Sequence, residues 1–150
     1  MVGNPTFREI RSDDMQAIFD VRVATWDNDR GFEELRQLGI THESVRDMLD
    51  KSHRGWLCEV EFRVVGFAMG NGTNGEMCAI AVLKEFETQG IGRHLLGLVE
   101  DWLSSEGWKE IWLTTDRGEN IRAVGFYRHL GWSDWKVEPD GDRFMKKSLE

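Results

Sequence analysis

The stretch GEMCAIAVLKEFETQGIGRHLL, residues 75–96, contains three local signals in succession. Residues 77–83 form a continuous apolar run between a glycine and two charged residues, which is typical of a buried strand. Residues 87–92 contain two glycines and predict a turn. From Ile91 onward apolar residues recur at helical spacing, as in an amphipathic helix. The stretch therefore predicts a strand, a glycine turn and a helix in that order.

This order of elements has a chemical use. The first backbone N–H groups of a helix have no partner within the helix, and the helix dipole makes that end positive. Glycines before the helix let a ligand approach the backbone without meeting a Cβ atom. The turn therefore predicts a site for a phosphate or pyrophosphate, to which Arg93 adds a cation. Taken alone, Gly90 and Gly92 equally fit a tight turn with no ligand.

The composition is that of a globular protein, with 40% hydrophobic and 31% charged residues among 150. A chain of this length predicts one domain over residues 1–150. No segment is long and apolar enough to span a membrane, and the first residues lack the apolar core of a signal peptide, so we expect a cytoplasmic protein without a membrane partner. Cys58 and Cys78 are too few for a disulfide framework, and we interpret both as buried strand residues.

The charged residues restrict the possible partners. A net charge of −8 argues against a nucleic-acid partner, because phosphate binding needs basic patches. The four histidines are scattered, so the sequence predicts no metal site. Six of the seven tryptophans lie in predicted elements or at their ends, and core packing is the leading explanation for them. The seventh, Trp26, follows the first helix, where it can line a site.

The remaining elements complete an α/β fold of the α+β type. Residues 7–11 read as a strand, Ser12 and Thr41 as helix caps, and residues 56–69 as a β-hairpin. A strand over 109–115, a helix from Asn120 to Gly131 and a C-terminal hairpin follow. The order of elements predicts a central mixed, mostly antiparallel sheet of about seven strands with helices on both faces.

Two blocks of sequence resemble a known family. The first is AIAV at 79–82, followed by the turn that ends with QGIGR at 89–93. The second is N-x-x-A-x-x-x-Y-x-x-x-G-W from Asn120 to Trp132. Together they resemble the acetyl-CoA-binding motifs of the GNAT superfamily of N-acetyltransferases. Two departures are Glu87, where the family usually has Arg or Gln, and Trp132, where it more often has Phe.

The resemblance implies acetyl-CoA as co-substrate. The backbone of Ile80, Ala81 and Val82 would pair with the pantetheine arm as an added strand does. The pyrophosphate would lie on the turn, and the amide of Asn120 would reach the cofactor. The implied turn residues are Thr88, Gln89, Gly90, Ile91, Gly92 and Arg93.

The resemblance also implies a general acid and a general base. Tyr127, the only tyrosine in the chain, would protonate the leaving thiolate, although a core aromatic residue is the alternative interpretation. A carboxylate would take the proton from the attacking amine. We place Glu76 first in this role, ahead of Glu59, Glu61 and Asp116.

The acceptor is expected to be a primary amine of a small molecule or amino acid that attacks the thioester directly. Trp26, Asp29 and Arg30 would bind it, since acidic and aromatic side chains suit an amine. The alternatives are a non-catalytic acyl-CoA sensor, a protein N-terminal or lysine acetyltransferase and, last, a different phosphate-cofactor enzyme. An exposed C-terminal hairpin would also allow a homodimer.

Overall fold

The computed structural model describes residues 3–25, 32–115, 121–139 and 143–149. The strands are β1 (Thr6–Glu9), β2 (His53–Val60), β3 (Arg63–Asn71), β4 (Glu76–Val82), β5 (Glu110–Thr115), β6 (Ser133–Val137) and β7 (Arg143–Ser148). The helices are α1 (Met15–Thr25), α2 (Phe32–Gln37), α3 (His42–Lys51), α4 (Ile91–Ser105) and α5 (Ile121–His129). Short 3₁₀ turns cover Ser12–Asp14 and Lys84–Gln89.

Within these residues the strands form one seven-stranded sheet in the order β1-β2-β3-β4-β5-β7-β6. Only β4 and β5 pair in parallel among the neighbours described; the others pair antiparallel. The predicted fold class, a mixed and mostly antiparallel sheet, is therefore confirmed. Strands β4 and β5 can be parallel because α4, which follows β4 in the chain, makes the crossover connection between them.

Helices cover both faces of the sheet. The Arg22 guanidinium of α1 lies 5.8 Å from the ring centre of Phe67 on one face. Helix α4 packs on the other face, where it approaches β3 closely. A Cβ atom at Gly70 would lie 2.7 Å from Cγ1 of Val99, so this glycine is required by helix packing. The apolar side of α4 is fully buried at Leu95 and Leu103.

Three helices end in the same hydrogen-bonded motif. In α5, Gly131 has a φ of 98°, and the N–H of Trp132 donates to the carbonyl of Tyr127 over 3.0 Å. In α4, Gly107 has a φ of 100°, and the N–H of Trp108 donates to the carbonyl of Leu103 over 3.1 Å. Gly39 ends α2 in the same way. These are Schellman ends, in which a left-handed glycine satisfies the last helical carbonyls.

One predicted helix cap is wrong. Ser12 does not cap α1; it begins a 3₁₀ turn in which the Asp14 carboxylate accepts the N–H of Arg11 over 2.7 Å. Asp14 is held there because Arg8 of β1 binds both of its oxygens over 2.8 Å. An ion pair between elements thus replaces the local hydroxyl cap that the sequence indicates.

Core packing explains only some of the tryptophans. Trp132 is buried, with 2% of its surface exposed, whereas Trp135 on β6 is 48% exposed. The prediction that Trp135 packs in the core is therefore wrong. Likewise, Cys58 is buried, but Cys78 is only half-buried. Both errors fall near β4 and the last strands, where the sheet is not covered on both sides.

Candidate active site

Strands β4 and β5 are joined at one end only. Within the described residues, their register contains one pair, Glu76 with Trp112, and the N–H of Trp112 donates to the carbonyl of Gly75 over 3.2 Å. The rest of β4, through Val82, has β3 as its partner on one side. The two strands therefore leave an opening along β4, which we call the β4–β5 cleft.

The hydrogen bonds of β4 determine which backbone groups face this cleft. The N–H of Leu83 donates to the carbonyl of Val65 in β3 over 2.9 Å. Antiparallel residues alternate between hydrogen-bonded and non-hydrogen-bonded pairs. Ala81, two residues before Leu83, therefore also directs its backbone groups to β3, whereas Ile80 and Val82 direct theirs into the cleft. Two of the three strand residues in the cofactor prediction thus present backbone groups there.

A β-bulge interrupts the same strand. Gly70 pairs with Met77 and Met69 pairs with Ala79, so Cys78 has no partner of its own in β3. Burial, followed by the nearby Glu76 carboxyl group, raises the pKa of the Cys78 thiol. Bulges change the direction in which neighbouring groups point and are frequent next to active sites. Here the bulge lies between Glu76 and the part of β4 that faces the cleft.

The glycine turn leads into the start of α4. Gly90 has a φ of 76°, and its carbonyl accepts the first helical hydrogen bond, from the N–H of His94, over 3.1 Å. The N–H groups of Ile91, Gly92 and Arg93 precede this bond and point out of the helix end. The first turn of α4 contains no acidic residue. The arrangement suits a phosphate group.

The exposed residues before α4 lie in the 3₁₀ turn. They are Glu87, Thr88 and Gln89, and they belong to the turn rather than to α4. Glu87 therefore lies outside the helix end that presents the N–H groups. Arg93 is also exposed and is positioned in the first turn of α4.

Gly92 connects the three elements of the site. A Cβ atom on Gly92 would lie 3.4 Å from Cζ of Phe126 in α5 and 3.6 Å from Cγ2 of Val82 at the end of β4. The start of α4, the end of β4 and α5 thus meet at this residue. A larger side chain would fill the space between them.

Tyr127 follows Phe126 on α5. It is 7% exposed, and its ring packs edge-on against Phe126 and Trp132 with centroid distances of 5.5 and 6.1 Å. Tyr127 lies on the same helix as Phe126, the α5 residue that approaches Gly92. Part of the spacing from Tyr127 to Trp132 also has a structural origin, because these residues form the Schellman end of α5.

Among the carboxylates considered as the base, Glu76 lies at the joined end of the cleft. Burial raises its pKa, while hydrogen bonds from Asn74 and Cys78 act in the opposite direction. Glu59 is bound by Arg8 over 2.8 Å, and Glu61 is exposed on the β2–β3 turn. Glu76 therefore has an environment in which its carboxyl group holds a proton more readily than in water.

Five predicted residues lie outside the described part of the chain. They are Trp26, Asp29, Arg30, Asp116 and Asn120. Among the described residues no group of three or more His, Cys, Asp or Glu side chains is arranged to hold a metal ion. None of the described helices has the length and apolar character needed to cross a bilayer.

Sequence reasoning did not include Trp112 in the site. The structure pairs it with Glu76, so both side chains lie on the same face of the sheet. The available signal was the alternation in β5. Ile111 and Leu113 are buried on one face, and Trp112 lies on the other. Sequence patterns do not reveal which residue of β4 lies beside it.

Comparison with known proteins now identifies the family. A model of the acetyltransferase (GNAT) family matches residues 9–132. The chain belongs to the GNAT acetyltransferase family. The chain is 30% identical over 99 residues to an uncharacterized N-acetyltransferase of Chlorobaculum tepidum, which covers 64% of this chain and 56% of that protein. It is 31% identical over 86 residues to another from Methanocaldococcus jannaschii, covering 56% and 55%.

The matches thus span little more than half the length of these curated relatives. A solved structure gives a more complete match in fold. PaiA N-acetyltransferase from Thermoplasma acidophilum, in complex with coenzyme A, superimposes with a TM-score of 0.84. The match covers 97% of this chain and 99% of that chain at 16% identity. At 16% sequence identity, this structural similarity is evidence for the fold alone.

Proposed function

We propose that residues 1–150 act as one N-acetyltransferase domain that moves an acetyl group from acetyl-CoA to a primary amine of a small molecule or amino acid. The observation that carries the proposal is the β4–β5 cleft. It brings the cleft-facing backbone groups of β4, the N-terminus of α4 and Glu76 to one opening in a chain of the GNAT family.

The residues of the cleft fit coenzyme A. Backbone groups of Ile80 and Val82 provide a strand edge for the amides of the pantetheine arm. The N–H groups of Ile91, Gly92 and Arg93 provide the positive end of a helix for the pyrophosphate. When bound, acetyl-CoA supplies the activated acyl group as a thioester. Since this recognition relies mainly on backbone groups, Glu87 is tolerated at an exposed position outside α4.

Glu76 acts as the general base in this proposal. An amine is protonated at neutral pH and must lose a proton before it attacks. The raised pKa of the Glu76 carboxyl group makes it a better proton acceptor than an exposed glutamate. It takes the proton from the acceptor directly or through a water molecule.

Tyr127 acts as the general acid. Its phenol, with a reference pKa of about 10, donates a proton to the leaving thiolate, whose conjugate acid has a pKa of about 8.5. The ring contacts with Phe126 and Trp132 hold the Tyr127 ring in place. A backbone N–H of Ile80 or Val82 polarises the thioester carbonyl and adds an oxyanion-type contribution.

The cysteines support direct transfer to the amine. Burial raises the pKa of the Cys58 thiol to about 11, and the pKa of the Cys78 thiol is also raised. Both thiols are therefore protonated at neutral pH and are poor nucleophiles. A route through an acetylated cysteine would need a thiolate.

Binding and turnover experiments test this proposal. Isothermal titration with acetyl-CoA should show binding, and thiol release should appear with some members of a panel of small amines. Peptides with free N-termini or lysines are included in the panel. Binding without thiol release from any acceptor would favour the sensor interpretation. Release with peptides only would favour the protein acetyltransferase, and failure to bind acetyl-CoA would contradict every version.

A further inference from the structure

Three aromatic rings form a cluster on one face of the last strands. The Trp112 ring of β5 stacks on Phe144 of β7 with a centroid distance of 6.0 Å. Trp135 of β6 meets both rings edge-on, at 6.5 Å from Trp112 and 5.9 Å from Phe144. We call these three residues the aromatic face. Trp135 is 48% exposed, so the cluster is open to a ligand.

The aromatic face is continuous with the base of the proposed reaction. Side chains of directly paired residues lie on the same face of a sheet, and Glu76 is paired with Trp112. The indole N–H of Trp112 also donates to the carbonyl of Asn74 over 3.0 Å, two residues before Glu76. The opposite side of β5 is occupied by buried core residues. Glu76 and the three rings therefore share one surface.

These rings already bind ammonium groups. Nζ of Lys136 lies 4.6 Å from the ring centre of Phe144 and 5.0 Å from that of Trp135. Nζ of Lys146 lies 6.0 Å from the ring centre of Trp135. The electron-rich face of an aromatic ring attracts a cation at such distances. The rings thus accept the ammonium groups of two lysines of the same chain.

Carboxylates complete the chemistry of an ammonium site. Glu138 lies 3.3 Å from Lys136 Nζ, and Glu110 lies 3.8 Å from Lys146 Nζ. The Lys136 side chain is 48% exposed and that of Lys146 is 38% exposed, so each can move off the rings to admit an incoming ammonium. The net charge of −8 also favours a cationic ligand over an anionic one.

We propose that the aromatic face binds a second ammonium group of the acceptor, so that the preferred substrates are aliphatic diamines rather than monoamines. This inference rests on the proposed acetyltransferase function, because it assigns the part of the acceptor that does not react. One amine meets Glu76 at the cleft, and the other rests on Trp135 and Phe144. Phe144 lies two strands from Glu76 and two residues along β7 from Lys146, which is level with Trp112, so the two positions are about 12 Å apart, and this sets the separation of the two nitrogens.

A chain-length series tests the inference. Thiol release from acetyl-CoA is measured with α,ω-diamines of increasing length and with the monoamine of each length. The diamine KM should pass through a minimum near the length that spans the two sites, about three- to tenfold below that of the matched monoamine. Equal KM values at every length would overturn the inference.

Two substitutions separate ring electrostatics from apolar contact. Trp135→Leu and Phe144→Leu keep an apolar side chain but remove the aromatic face. Each should raise the diamine KM about three- to tenfold and leave the monoamine KM unchanged. Val137→Ala, at an exposed position on the same strand, should change neither value. A diamine KM that does not respond to either substitution would overturn the inference.

Direct binding distinguishes this inference from the proposed function. Isothermal titration of the best diamine into protein saturated with coenzyme A should show binding that Trp135→Leu weakens. If this holds but no amine gives thiol release, the proposed function fails and the ammonium site remains. If Trp135→Leu alters only the oligomeric mass in light scattering, the face binds a second copy of the chain, and the inference fails.

Discussion

The two parts of the sheet are built differently. Strands β1 to β4 pair antiparallel, with bulges in β2 and β4, and α1 and α4 pack on opposite faces of this unit. The β5-β7-β6 unit is attached to it at the Glu76–Trp112 pair. One face of this second unit is buried around Met145 and is tied to α4 by the Lys147–Glu100 ion pair, over 3.0 Å. Its other face exposes Trp135.

The difference shows where a ligand can enter without unfolding the protein. A continuous ladder satisfies its own backbone groups, so the first unit supplies stability. At the boundary, the backbone groups of Ile80 and Val82 face the cleft beyond the described β4–β5 pairing, and a ligand can pair with them. The proposed reaction takes Glu76 from the first unit and Tyr127 from α5, which lies between β5 and β6 in the chain.

Removing the hydroxyl group of Tyr127 should have the largest effect. Tyr127→Phe keeps the ring contacts with Phe126 and Trp132, so the melting temperature and the Kd for acetyl-CoA should change little. Loss of a general acid should lower kcat by about a hundredfold, equivalent to about 2.7 kcal/mol. Steady-state kinetics and titration calorimetry measure both quantities. An unchanged kcat would leave Tyr127 as a packing residue.

Much of the fold could be predicted from the sequence because its signals are local. The apolar run, Gly90 and the amphipathic pattern specify β4, its turn and α4. Gly107 and Gly131 mark helix ends because a left-handed residue is needed there. The Thr41 cap is also confirmed, since its hydroxyl oxygen accepts the N–H of Ser44 over 3.0 Å.

The parts that could not be predicted depend on contacts between distant residues. Neither the Cys78 bulge nor the Glu76–Trp112 pair has a periodic signature, since both depend on strand register. The interpretation of Trp135 as a core residue failed because apolar periodicity cannot show which sheet face a helix covers. The Asp14–Arg8 pair joins residues of two elements, whereas the sequence offered only Ser12 as a local cap.

The Arg8–Asp14 ion pair should stabilise the first unit. Asp14 is 7% exposed, and Asp14→Asn would leave the Arg8 guanidinium with an incomplete set of partners. We expect the free energy of unfolding to fall by about 2 kcal/mol at neutral pH. Asp13→Asn, at the exposed neighbouring position, is the matched control and should change it by less than about 0.5 kcal/mol.

The same pair predicts a pH dependence. The hydrogen bond from Arg8 lowers the pKa of Asp14 below its ordinary value. The stabilisation is therefore fully present above the unfolded pKa of about 3.9 and is lost as the pH falls through the lower folded value. Urea unfolding of wild type and Asp14→Asn should differ fully down to about pH 4 and converge only as the pH falls further, through the folded pKa of Asp14. A constant difference across this range would contradict the assignment.

Replacing the proposed base should have a smaller effect on rate, because water can also accept the proton. Glu76→Gln should lower kcat/KM by about tenfold, or about 1.4 kcal/mol. Wild-type activity should rise with pH through the raised pKa of Glu76, and this step should disappear in the variant. Glu106→Gln, at an exposed helix end, should retain the wild-type profile.

Glu76→Gln should raise stability although it lowers activity. Because the folded pKa of Glu76 is raised, the folded state holds the proton more tightly, and stability falls as the pH rises through that value. Glu76→Gln should therefore melt at a slightly higher temperature than wild type at pH 7. Lower stability together with unchanged activity would assign Glu76 to structure rather than catalysis.

The smallest effect tests the turn at the end of the cleft. Gly90 and Gly97 both have open space around the position of a new Cβ atom, but only Gly90 has a positive φ. Gly90→Ala should therefore cost about 1 kcal/mol of stability, whereas Gly97→Ala, inside α4, should gain about 0.5 to 1 kcal/mol. Gly90→Ala should also raise the Kd for acetyl-CoA, because relaxing the turn moves the N–H groups of α4, while Gly97→Ala should leave this Kd unchanged. Equal stabilisation by both alanines would mean that the turn does not need its left-handed residue, and the anion site would lose its structural basis.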